Sequence, residues 1–158
     1  MASDYLLELD GIKGESIDAK HAGTIEVSSF SWGITQPGSA SSGGGGGTGK
    51  ASFQDLHVTT TVSKASTTLA QRCADGTHIK KATLFVRKAG KEQYDFYVIT
   101  LEDLIVSSFQ SGGGGHDLPA EQVSLNYAKI KFEYKEQAPD GSLKGAVKMT
   151  WDVKKNVA

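Results

Sequence analysis

Residues 147–153 read Val-Lys-Met-Thr-Trp-Asp-Val, apolar at every odd position and polar at every even one. Only an extended strand, whose side chains alternate between two faces, gathers Val147, Met149, Trp151 and Val153 on one side. Residues 123–134 carry the same alternation with a fault in it. Val123, Leu125 and Tyr127 are odd, whereas Ile130, Phe132 and Tyr134 are even. A period-2 pattern changes parity when a residue is inserted, so a β-bulge or sharp bend is predicted near Ala128 and Lys129, of the kind that turns a barrel corner. Pro139-Asp140-Gly141-Ser142 lies between the two segments and has the chemistry of a turn, which predicts a hairpin.

Strand signals extend along the rest of the chain. Residues 5–9 are short and apolar and are closed by Gly11 and Gly14. In 24–32, Phe30 and Trp32 share one face, and Ser29 and Ser31 the other. Residues 58–62 are β-branched throughout, and 82–87 form another strand-like run. Residues 94–101 are apolar on both alternating sets, as in a strand covered on both sides, and the apolar reading resumes from Leu104 to Phe109. One helix is predicted over 67–74, with Ser63 or Ser66 as its cap, Gly76 at its C-terminal end, and Leu69 and Cys73 on its buried face. The expected class is therefore all-β with one short α-helix, an antiparallel sandwich or barrel in a single domain over 1–158.

The glycine run 43–47 followed by Thr48-Gly49-Lys50 nearly spells a phosphate-binding loop, but Ala51 stands where the Mg²⁺-binding hydroxyl belongs. Its context is also wrong, since Lys50 leads into strand-like sequence and not a helix. His21, His57, His78 and His116 are scattered, with no ligand spacing, and are expected on the surface or in loops. Cys73 is alone, which excludes a disulfide within the chain. No metal, cofactor or catalytic group is expected, and no G-x-S-x-G elbow presents a nucleophile. With 17 basic and 18 acidic side chains the charges nearly cancel, so no general attraction to nucleic acid is expected. No run approaches the length of a membrane span, and the first residues lack the pattern of a secretory signal, so neither membrane insertion nor a cleaved signal peptide is expected.

From Gln36 to Ser52 no residue is apolar and larger than alanine, so this stretch has no core of its own. Loops of this length in compact domains are often functional. High mobility is expected at 43–49, and Gly112 to Gly115 form a second, shorter joint.

Several ordered motifs now add up. They are Gly11-Ile12-Lys13-Gly14-Glu15-Ser16 followed by His21, Ser31-Trp32-Gly33, the glycine run ending in Gly49-Lys50, and Gln54-Asp55-Leu56. Further on come Arg87-Lys88-Ala89-Gly90, Ile99-Thr100-Leu101, Val106-Ser107-Ser108, Val123-Ser124-Leu125-Asn126-Tyr127-Ala128 and Pro139-Asp140-Gly141. From end to end the chain resembles the haemolysin-coregulated protein (Hcp) family of type VI secretion systems. The resemblance implies a two-sheet β-barrel with one short helix, forming hexameric rings that stack into a tube. It also implies a contractile sheath around that tube, a VgrG-type spike protein at its tip, effector proteins in the ring lumen, and release through the type VI system after cytoplasmic synthesis. The excursion at about 36–57 resembles the family's extended loop, which makes Gln36, Ser42, Gly43, Gly47, Gly49, Lys50, Gln54 and Asp55 candidate ring-stacking residues.

Alternation adds a candidate of its own. If Phe30 and Trp32 point into the barrel, Ser29 and Ser31 point out, and on a strand lining the hole they form a ring of hydroxyls able to hydrogen-bond cargo. Two rival readings are a monomeric β-sandwich that binds carbohydrate and a secreted effector with an unrecognised catalytic site. Trp32 and Trp151 alternate with polar residues as core positions do, which speaks against an exposed carbohydrate platform.

Overall fold

The computed structural model describes residues 3–38, 49–88 and 93–158. These residues form β1 (Ser3–Leu9), β2 (Ile25–Ser31), β3 (Ile34–Thr35), β4 (Ser52–Phe53), β5 (Leu56–Thr61), α1 (Ser66–Asp75), β6 (Ile79–Lys88), β7 (Asp95–Gly112), β8 (Ala120–Gln137) and β9 (Leu143–Asp152). The main sheet runs β5-β2-β1-β6-β7-β8-β9, antiparallel throughout, and β5 also pairs with β8. That extra pairing closes six strands into a barrel and leaves β9 hanging on the outside of β8. The two-sheet barrel implied by the resemblance is thus one continuous ladder bent into a closed form. β3 and β4 make a separate two-stranded ribbon.

The predicted fault in 123–134 is present and has a partner. On β8 the buried set passes from Leu125 and Tyr127 to Ala128 and Ile130, and on β7 it passes from Ile99 and Leu101 to Leu104 and Val106. Glu102 faces Lys129 and Leu104 faces Tyr127, so the register is unbroken across the change. One residue has been added to each strand at the same level: Asp103, with a positive φ of 50°, opposite Ala128. The bend is therefore shared by two strands, and the separate readings of 94–101 and 104–109 merge into one strand.

Inward-facing Leu7, Leu56, Leu84, Ile99, Leu101, Leu104 and Leu125 form the centre of the core. Aromatic side chains fill one end of the barrel. Tyr97 packs edge-on against Phe132 at 4.6 Å, Trp32 lies 5.6 Å from Phe132, and the Trp32 Nε1–H donates to Tyr97 Oη at 3.1 Å. The segment 11–24 covers the outer side of β6. There His21 stacks on Phe85 at 3.9 Å and bonds the Asp95 carboxylate at 2.9 Å, and Asp18 pairs with the buried Arg87 guanidinium. His21 thus lies in a loop, as expected, but is packed against the barrel there.

Two local readings need correction. The helix is capped at Ala65 with no side-chain cap. The hydroxyl of Ser66 accepts from Ser63 N–H and donates to Glu121 Oε1 at 2.7 Å, so it serves β8 instead. Gly76 ends the helix as predicted, at φ 68°. Met149 and Trp151 on β9 and Val153 just past its end pack against the core, but Val147 is 66% exposed because the β8–β9 hairpin runs past the barrel there. The turn at that tip holds through Asp140 Oδ1, which accepts from the Ser142 N–H and hydroxyl, and Gly141 has φ 90°.

Candidate functional site

β2 carries Ser29 and Ser31 on its outward side, both exposed, while Phe30 faces the core. The pairing registers extend this outward face across three more strands. One row runs Ser31–His57–Ser124–Ser108 over β2, β5, β8 and β7, and the next runs Ser29–Thr59–Gln122–Gln110. Hydroxyl, amide and imidazole groups make up both rows, and neither contains a carboxylate or an ammonium. His57 Nδ1 and Ser124 Oγ share a hydrogen bond of 2.7 Å. A register shift between Val27 and Ser29 is what places the two serines outward while Ile25 and Val27 point in.

Beyond the shared bend the outward side of the same ribbon changes character. Lys81, Glu102, Lys129 and Asp152 lie in one row over β6, β7, β8 and β9, alternating in sign. Next to it, Asp103 bonds His78 Nδ1 at 2.8 Å and accepts from Lys154 Nζ at 2.9 Å, and these contacts, the His78 bond first, hold its carboxyl below the usual range. Glu133 is lowered too, first by its hydrogen bond from Lys131.

The excursion between β2 and β5 is tied down at its base. Gln54 N–H donates to Gly33 O at 2.9 Å, joining the two limbs, and Tyr127 Oη donates to Gln54 O at 2.8 Å. Burial, with Asp55 nearby, pushes the Tyr127 phenol up to about 12. Asp55 accepts from Ser107 Oγ at 2.6 Å and from Asn126 Nδ2 at 2.8 Å, so both of its oxygens are engaged by the barrel wall. Ser107 reaches it because β7 carries an extra residue there: Val106 faces Leu125 and Ser108 faces Ser124. Farther out, Gln36 and Lys50 are exposed, and a Cβ on Gly49 would stand 2.6 Å from Pro37 Cγ, so the two limbs run close together. Ser42, Gly43 and Gly47 lie outside the described residues, as does all but Gly49 of the segment 43–49 expected to be mobile. Lys50 leads into β4, a strand, unlike the lysine of a phosphate-binding loop.

Sequence reasoning isolated Ser29 and Ser31 but not His57, Ser124, Ser108, Thr59, Gln122 or Gln110. These meet only through cross-strand register, and the one local hint was the alternation of β5. Among the described residues no cluster of metal-ligating side chains occurs, and Tyr134 is the one aromatic among the large exposed hydrophobic side chains.

The family model described as "Type VI secretion system effector, Hcp" matches residues 6–134. Protein hcp1 of Pseudomonas aeruginosa is 42% identical over 160 residues, covering 99% of each chain. Among solved structures, one titled as a type six secretion system protein superposes with a TM-score of 0.93 at 32% identity, covering 98% of both chains. Hcp1 from Salmonella typhimurium does so with a TM-score of 0.80 at 34% identity, over 99% of this chain and 98% of that one. A fold, a motif order and a full-length identity of this kind have a single reading: the chain belongs to the Hcp family of type VI secretion proteins.

Proposed function

We propose that the chain is a tube subunit, closing into hexameric rings that stack into a conduit whose lumen carries effector proteins. The observation that supports this best is the contrast between the two outward surfaces. A passage that must let varied proteins slide needs a wetted wall without fixed charge, which the serine, threonine, glutamine and histidine rows supply. A wall facing other machinery gains from the alternating charges of Lys81, Glu102, Lys129 and Asp152, which set register without large net repulsion. Among the described strands β9 is the one whose second edge is unpaired in the main sheet, and an open edge is a natural seam between neighbouring copies. The excursion, with Gln36, Gly49 and Lys50 along its limbs and Ser42, Gly43 and Gly47 in its sequence, is the contact that meets the next ring. A VgrG-type spike protein at the tip and a contractile sheath around the tube complete the assembly. Release through the type VI system then needs no cleaved signal peptide.

Negative-stain micrographs and native mass of the purified chain test this: annular particles with an open centre and six copies are expected. Ser31→Arg is expected to leave the rings intact and to reduce the effector proteins that co-purify from the producing cell. Unchanged co-purification removes Ser31 from the lumen, and a monomer at high concentration removes the tube.

A further inference from the structure

Asp55 lies at the root of the excursion, and its carboxylate is spent entirely on its own barrel: one oxygen takes Ser107 Oγ at 2.6 Å, the other Asn126 Nδ2 at 2.8 Å. The two donors come from different strands, and one of them, Ser107, stands at the extra residue of β7. The neighbouring backbone is held as well, by Tyr127 Oη on Gln54 O at 2.8 Å and by Gln54 N–H on Gly33 O at 2.9 Å. Three of these hydrogen bonds tie the returning limb of the ribbon to β7 and β8, and the fourth ties the outgoing limb to it. Hydrogen bonds to a charged group are the stronger kind, and a fork from two directions fixes orientation as well as position. A ribbon whose root is set beforehand forfeits less entropy when its tip docks.

We infer that Asp55 is a positioning residue for ring stacking: with Ser107 and Asn126 it sets the direction in which the excursion leaves the barrel, so stacking depends on it while closure of a single ring does not. Its side chain touches no neighbouring ring and acts through the ribbon. This rests on the tube reading above.

The test uses the full chain, with ring size read by native mass, stacking by sedimentation and micrographs, and folding by thermal melting. Asp55→Ala is expected to form rings of unchanged size and to stack at least roughly tenfold less at equal concentration, the loss expected from a charge-assisted fork. Ser107→Ala, which removes a single donor, is expected to fall between this variant and the parent. The exchange Asp55→Asn with Asn126→Asp keeps a carboxylate–amide pair at the same place and is expected to restore stacking, which a merely structural loss would not permit. Parental stacking in Asp55→Ala overturns the inference while leaving the tube reading intact. So does failure of the exchanged pair to stack although it forms rings. If Asp55→Ala does not fold, Ser107→Ala and the exchanged pair decide alone. If the parent chain forms no rings, the tube reading itself falls and takes the inference with it.

Discussion

Single side chains of this barrel show where sequence reading stops. Alternation alone separates Ser29 and Ser31 from Phe30 and Trp32, and the structure keeps that division. It cannot reveal that Ser31 shares a row with His57, Ser124 and Ser108, because residues from four strands meet only after the barrel closes. Asp55 is legible as part of the excursion, but its fork needs the added residue at Ser107, which leaves no mark on the local pattern. Tyr127 carries a prediction of its own. Its phenol ordinarily loses its proton near 10.0 but in the fold does so at about 12, chiefly through burial, so the unfolded chain ionises first. Between those values the native state holds more protons, and stability falls as pH rises, by at most about 1.4 kcal/mol per pH unit from this group. Below pH 10 its contribution is complete. Burial raises Tyr97 as well, so Tyr127→Phe is expected to flatten the alkaline loss of stability without abolishing it, as read by denaturant titration across that range.

Elements were more legible than contacts. Each strand with a clean period-2 pattern is present, and the parity fault of 123–134 coincides with the change of buried face on β8. The helix start misled because serine is a strong capping residue whose hydroxyl can be claimed elsewhere. Ser66 is held by Glu121, a carboxylate 2% exposed on β8, and that demand came from a residue 55 positions away. Ser66→Ala therefore removes a donor from a buried carboxylate, and is expected to lower stability by about 2 kcal/mol with the helix otherwise retained. Circular dichroism and a melting curve measure both quantities, and a change below a few tenths of a kcal/mol would show that Glu121 finds another partner. Alternation over 147–153 predicts a strand half-buried throughout that run. Its periodicity is real, but burial requires something opposite, and past Tyr134 and Val147 the hairpin has left the barrel behind.

For the whole molecule, strand spacing pointed to an antiparallel sandwich or barrel, and the motif order pointed to the family and with it to the barrel. Ring closure belongs to this scale as well. Val147 on the open-edged strand is 66% exposed in the single chain, so Val147→Asp is expected to change the melting of an isolated subunit by no more than about 0.5 kcal/mol. If β9 forms the seam between copies, the same substitution is expected to shift native mass from rings towards monomers. Full rings would move the seam to another surface.

The bend at Asp103 and Ala128 reaches beyond local geometry. Because the additions on the two strands are matched, losing either residue by itself would turn half of β7 or β8 inside out; on the far half of β8, Ile130 and Phe132 would change places with Lys129, Lys131 and Glu133. Length changes at this corner are tolerable only as simultaneous pairs.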